Sequence, residues 1–191
     1  MNMTQTGTGN ISRRGLLGAF AATIVAAAPT FSKAAGFIRG AGDIRQLRMY
    51  CGRTGESINT IYWIEGKYIR PALAEVDHFM RDWHMNESTT IDVRAIDIMA
   101  ASHNLMNTDE AYLLISGYRT SRTNERLRAS SRLVAKNSLH VKGMAADLRL
   151  HSRSVSQIAR AASACGAGGV GRYTKSNFVH MDCGPVRSWG S

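Results

Sequence analysis

Cysteine, proline and aromatic residues are all scarce in this chain of 191 residues, which has three cysteines, three prolines and only 7% Phe, Trp and Tyr together. Three cysteines cannot build a disulfide scaffold, and an odd number leaves at least one thiol unpaired in a monomer, so a hydrophobic core must hold the fold. With 44% hydrophobic residues the chain is long enough for one compact domain, or one domain and a tail. Collagen-like and wholly disordered chains are excluded. Acidic residues are few as well: 14 Asp and Glu face 24 Lys and Arg, a net charge of +10. Any partner surface is therefore expected to be anionic, whether nucleic acid, lipid or a carboxylate-rich polymer.

Residues 1–35 contain no acidic residue at all. Arg13 and Arg14 precede an apolar stretch from Leu16 to Ala28, and Ser32-Lys33-Ala34 offers small residues for cleavage just beyond. This is the pattern of an export signal, and Ser12-Arg13-Arg14-Gly15-Leu16-Leu17 resembles the twin-arginine type. A membrane anchor is the rival reading, but the stretch falls short of the roughly 20 apolar residues that span a bilayer. The expected organisation is an export signal over 1–35, a glycine-containing linker over 36–44 and one domain over 45–191, with no transmembrane segment left after cleavage. Without Arg13, Arg14 and Lys33 the net charge is +7. Export points to the periplasm, which demotes nucleic acid as a partner and promotes peptidoglycan, whose stem peptides carry carboxylates.

Arg45 to Tyr50 and Ser57 to Ile64 read as an antiparallel hairpin, with turns at Cys51–Gly55 and Glu65-Gly66. Pro71 suits a first helical turn, and Leu73, Val76, Phe79, Met80 and Trp83 follow at three-and-four spacing. A second helix is expected from about Thr90 to Asn104, burying Val93, Ile96 and Met99 or Ala100. Ala111 to Ser116 reads as a buried strand, Met144 to Leu150 and Phe178 to Asp182 as strands, and Ser154 to Cys165 as a helix. The polar stretch through Leu133 is helical in part. The order predicts an α+β single domain with a small, mostly antiparallel sheet and flanking helices.

Of six histidines, His78, His84, His103 and His151 have ordinary structural explanations. His140 differs, because seven residues later an apolar strand carries Asp147, and an isolated buried carboxylate needs a cation, donors or a wet cleft. On the last strand His180 and Asp182 are two apart and share one face, opposite Val179 and Met181. Two histidines and one carboxylate make a reasonable catalytic zinc set, since they leave a fourth position open. Read from spacing alone, the same residues also fit histidines and aspartates bonded within a core.

Four blocks carry a resemblance to a known family. They are Ser116-Gly117-Tyr118-Arg119-Thr120 followed by Asn124 and Leu127, Ser138-x-His140-x-x-Gly143-x-Ala145-x-Asp147, Gly169-Val170-Gly171-x-Tyr173, and Asn177-Phe178-Val179-His180-Met181-Asp182-x-Gly184. From about Arg45 to Trp189 the chain resembles the murein endopeptidase K family of the zinc D-Ala-D-Ala metallopeptidase superfamily, with its hedgehog-like fold. The resemblance implies zinc bound by His140, Asp147 and His180, and hydrolysis of peptide cross-links in peptidoglycan, typically at meso-diaminopimelate. Related carboxypeptidases place a glutamate three residues before the last zinc histidine, where this chain has Asn177. Another branch ends in His-x-His, where this chain has His180-Met181-Asp182.

Asp182 is thus the candidate proton shuttle, or else the residue that orients a zinc histidine. Arg119, at a loop edge, is the candidate for binding a substrate carboxylate or stabilising the tetrahedral oxyanion. Ser138 is expected to orient His140 or the substrate, or to stabilise a turn. Tyr118 and Tyr173, with Trp189, are candidates to line a substrate groove, with core or rim packing equally open. Cys165 and Cys183 lie near element ends where an exported protein has the option of a disulfide. The expected activity is that of an endopeptidase in wall growth or remodelling. A stem-peptide carboxypeptidase and a catalytically silent wall-binding module are the alternatives.

Overall fold

A computed structural model describes residues 40–190 of the chain. The expected export signal and the first part of the expected linker lie outside these residues. Thirteen consecutive elements are built in chain order, and their positions follow from local chemistry.

Strands β1 (Ile44–Tyr50) and β2 (Ser57–Ile64) form the expected hairpin, and β3 (Lys67–Tyr68) folds back on β2 through Glu65 and Gly66. Both turn residues have positive φ, 45° and 85°, the left-handed pair that a two-residue hairpin requires. Ala41, in the second half of the expected linker, is buried against Ala101 and Cys165. Helix α1 (Arg70–Phe79) starts with Pro71 in its first turn and buries Ala72, Val76 and Phe79. It stops one turn earlier than the apolar spacing predicts. Met80 is its C-cap, and the Met80 carbonyl accepts from the Tyr118 amide at 2.7 Å, so the chain leaves the helix before Trp83, which is 36% exposed and stacks on His84.

Helix α2 (Val93–Leu105) begins three residues later than expected because Asp92 is its N-cap, accepting from the Arg94 amide. Ile91, ahead of the helix, takes the buried place expected for Val93. Strand β4 (Tyr112–Ser116) leads into the Gly117–Thr120 loop, and Thr120 caps α3 (Ser121–Ser130). A 3-10 turn, Leu139–Lys142, precedes β5 (Ala145–Arg149). Helix α4 (Val155–Ala164) opens with a reciprocal Ser154–Gln157 capping box and is followed by β6 (Gly169–Tyr173), β7 (Phe178–Asp182) and β8 (Arg187–Gly190).

All eight strands form one mixed sheet in the order β3-β2-β1-β4-β5-β7-β6-β8. Five of the pairings are antiparallel; β1–β4 and β6–β8 are parallel. Helix α1 packs on β2, α2 on β1 and β7, and α4 on β6 and β7. The α+β architecture therefore matches the expectation, with three additional strands, β3, β6 and β8, that the sequence did not announce. Ala146, Leu148, Val170, Val179 and Met181 join the same core as Ile96, Met99 and Ile158. The residues that alternate with them, Asp147, His180 and Asp182, are carried on the opposite face of the sheet. Cys165 and Cys183 do not meet: both are free and buried, in separate apolar clusters, so the disulfide option is not taken. Among the described residues no helix is long and apolar enough to cross a membrane.

Candidate active site

Three elements converge on one point. Antiparallel pairing of β5 with β7 sets Asp147 directly opposite His180, and the β4–β5 pairing sets Ser116 opposite Asp147. His140 arrives from the 3-10 turn, which is terminated by Gly143 at φ 65°. A Cβ there would lie 2.6 Å from the Thr90 carbonyl oxygen, so the turn can end against that segment only with glycine. Gly117 has a similar duty, since a Cβ at that position would press on the Met80 backbone and lie 3.0 Å from its Cβ.

His140 is 2% exposed, and its Nδ1–H donates to the Gly117 carbonyl at 2.7 Å. A carbonyl can only accept, so the tautomer is fixed and Nε2 carries the lone pair that faces the cleft. His180 differs in that both its ring nitrogens face carboxylates at 2.9 Å, Nε2 facing Asp182 Oδ2 and Nδ1 facing Asp147 Oδ1; an Nε2–H donated to Asp182 leaves Nδ1 as the nitrogen that faces the cluster. His140 Nε2 is 3.2 Å from His180 Nδ1 and 3.2 Å from Asp147 Oδ1. Three ligand atoms, from His140, Asp147 and His180, thus lie within 4.8 Å of one another.

Two imidazole lone pairs and a carboxylate oxygen at this separation repel one another unless a cation or a proton stands between them. Burial works against a charged His180, but its hydrogen bonds to Asp147 and Asp182 outweigh burial and push its pKa up to about 9. Burial lowers the pKa of His140, which favours the neutral ring. Asp147 is held well below the usual carboxylate range because the two histidines overcome its desolvation. The donor set fits a divalent metal with nitrogen and oxygen preference, and no other group of three such side chains is brought together among the described residues.

Arg119 donates from Nη2 to Asp147 Oδ2 and from Nε to Ser116 Oγ at 2.7 Å. It therefore ties down the oxygen of Asp147 that the cluster does not use, and it also lines the cleft. Asp182 is 1% exposed and fully engaged. Besides His180 it accepts from the amides of Gly169 and Gly184 at 3.1 and 2.9 Å and from Arg187 at 3.0 and 2.7 Å. Burial opposes its charge, yet these donors hold its pKa far below the ordinary value.

The cleft has a volume of about 410 Å³, with His140, Asp147 and His180 at its floor. Ser138 is on its wall as the residue that begins the 3-10 turn, without a side-chain capping bond. Tyr173 also lines it, stacked on Phe178 at 4.5 Å and accepting from Trp189 Nε1 at 3.1 Å. Tyr118 does not: its ring packs against the main core, which is where a residue leaving a buried strand beside Met80 is drawn. Asp182 lies behind His180 and does not line the cleft, and Asp147 is the only carboxylate that does among the described residues. The sequence reading missed Arg187 as a site residue and missed Ser131, Leu133, Val134 and Ala135, which also line the cleft. The alternation of Gly169 with Gly171 and of Arg187 with Trp189 was the available signal.

Two histidines and a carboxylate presented by an α+β domain at one open cleft are the donor arrangement that hydrolases built around a metal site use. Residues 39–189 match the family model described as peptidoglycan L,D-endopeptidase MepK. The chain is 45% identical over 136 residues to the peptidoglycan L,D-endopeptidase MepK of Escherichia coli K12, covering 71% of this chain and 75% of that protein. It is 35% identical over 137 residues to the probable peptidoglycan L,D-endopeptidase MepK of Haemophilus influenzae, covering 71% and 74%. The chain belongs to this peptidase family.

Proposed function

We propose that this protein is an exported, zinc-dependent endopeptidase that hydrolyses L,D peptide bonds in the cross-links of peptidoglycan. The observation that carries the reading is the convergence of His140 Nε2, Asp147 Oδ1 and His180 Nδ1, each with its remaining polar atom already engaged elsewhere. The relatives' names supply the substrate and the bond type, and the chain's cationic balance suits a carboxylate-rich polymer.

His140, Asp147 and His180 would hold the zinc. Bound there, it would supply a Lewis acid for the scissile carbonyl and make water a competent nucleophile near neutral pH. The protein's own contribution is orientation. The Gly117 carbonyl and Asp182 select the two tautomers, and Arg119 secures the second oxygen of Asp147 so that one oxygen is offered. Two of the five guanidinium donors are used on Ser116 and Asp147, and the rest of the fork is at the cleft, where it can meet a substrate carboxylate or the developing oxyanion. Asp182 acts by positioning His180: a carboxylate buried behind that ring and bonded to five donors cannot reach a proton in the cleft. Tyr173 and Ser138 form the walls against which a stem peptide lies.

The test is digestion of purified cross-linked muropeptides by the protein beside a His140→Ala control, with products identified by mass. Endopeptidase action yields two muropeptide fragments, and the control yields none. Release of a single amino acid would replace this reading with that of a carboxypeptidase, and no digestion by zinc-loaded protein would overturn both.

A further inference from the structure

Strand β6 presents two glycines to the site face, and the register on both sides of it is fixed. Gly169 stands between Arg187 on β8 and Asp182 on β7, and Gly171 stands between Trp189 and His180. A Cβ at Gly169 would collide with Arg187 Nη1 and lie 2.6 Å from Asp182 Oδ2. At Gly171 it would lie 2.6 Å from the Trp189 ring. Because the middle strand contributes no side chain in these two rows, residues of β8 reach across a whole strand to β7.

What they reach is the back of the candidate metal site. Arg187 grips both oxygens of Asp182 in a fork, Nη2 to Oδ2 at 2.7 Å and Nη1 to Oδ1 at 3.0 Å. Asp182 Oδ2 in turn accepts the His180 Nε2 proton. The Trp189 ring centre lies 5.3 Å from that of His180, and the Arg187 guanidinium sits 4.8 Å over the same indole. The indole is itself anchored by its N–H on Tyr173.

We propose that Arg187 and Trp189 are positioning residues for His180. Arg187 orients Asp182 so that it takes the Nε2 proton and leaves Nδ1 as the metal-facing atom, while Trp189 covers the flank of the imidazole and stops it from turning. Gly169 and Gly171 are the requirement for both contacts. The inference rests on the reading that His140, Asp147 and His180 hold zinc. It also assigns Arg187 a duty different from that of a groove-lining cation that binds substrate carboxylates.

The experiment measures zinc affinity by chelator competition and records imidazole nitrogen NMR spectra of the zinc-loaded protein, with Arg187→Met, Arg187→Lys and Trp189→Leu beside the unmutated chain. The expected result is a zinc affinity about tenfold to a hundredfold weaker in Arg187→Met. Arg187→Lys, which keeps the charge but not the fork, should fall between that variant and the unmutated chain. The unmutated protein should show His180 protonated at Nε2, with a single set of signals that broadens or splits in Arg187→Met and Trp189→Leu. Unchanged zinc affinity and an unchanged His180 spectrum in Arg187→Met, with only a raised KM for muropeptides, would overturn the inference and leave the zinc reading standing. Failure of the unmutated protein to bind zinc would overturn both.

Discussion

His140 and His180 offer different ring nitrogens to the same point, and the choice is made by what sits behind each ring. For His140 it is the Gly117 carbonyl, and for His180 it is Asp182. Asp182 lies behind His180 and outside the cleft, which supports an orienting role over that of a proton shuttle. If it orients His180, Asp182→Asn should lower zinc affinity at least tenfold along with turnover; normal zinc content with turnover lost would instead favour a proton shuttle. Arg119 is bound through Nε and Nη2 to two different residues, a geometry an ammonium cannot copy. Arg119→Lys should therefore cut kcat/KM by about tenfold or more while the chain stays folded, as circular dichroism would verify; full activity would remove any need for the fork. At this scale Asp147 was legible as a carboxylate out of place in an apolar strand, but only the family resemblance joined it with His140 and His180 as one ligand set. Tyr118 was left between groove and core because an aromatic beside a glycine can serve either with the same sequence, and its ring packs against the core.

Among the elements, the Gly117–Thr120 loop has the most to organise, since it supplies the His140 acceptor, Arg119 and the cap of α3. Asp82 holds it. Its carboxylate accepts from the amide and hydroxyl of Thr120 at 2.9 and 2.8 Å and from the His84 amide at 3.0 Å. Burial opposes the charge, but these hydrogen bonds outweigh it and lower the pKa of Asp82 below its ordinary value of 3.8. A depressed carboxylate stabilises the fold above its unfolded pKa, and that contribution is lost as pH falls through the folded value. Asp82→Ala should cost about 1–3 kcal/mol at pH 7, because it strands buried donors. The gap between variant and unmutated protein in urea unfolding should shrink as pH drops below about 4. A gap that stays constant down to pH 2 would contradict the assignment. Helical periodicity predicted α1, α2 and α4, but it ran α1 on to Trp83, because nothing in the spacing shows that Tyr118 will claim the Met80 carbonyl. Strand β8 was illegible for another reason. Its four residues carry no apolar alternation, and its place is set by glycines on a neighbouring strand.

On the scale of the molecule, one mixed sheet separates a helix-covered core from a site face, and the family relationship, the fold and the cluster agree. The sequence was informative wherever one residue type has few physical uses: glycine at positive φ, carboxylates among apolar neighbours. Pairings between distant strands were beyond it, and with them the way β8 backs the cluster. The excess of basic residues predicts that binding to purified peptidoglycan weakens as salt rises from 0.05 to 0.5 M, on the order of the screening expected for exposed charges; sedimentation with sacculi measures this, and salt-independent binding would deny the charge a role. The central claim is that His140, Asp147 and His180 form a zinc centre that the peptidase needs. The most direct measurement is zinc stoichiometry alongside cross-link loss in the purified protein, first stripped by chelator and then given zinc back. About one zinc per chain, with cross-link cleavage lost on stripping and restored on return, is the predicted result. Full cleavage by protein shown to contain no metal would contradict it.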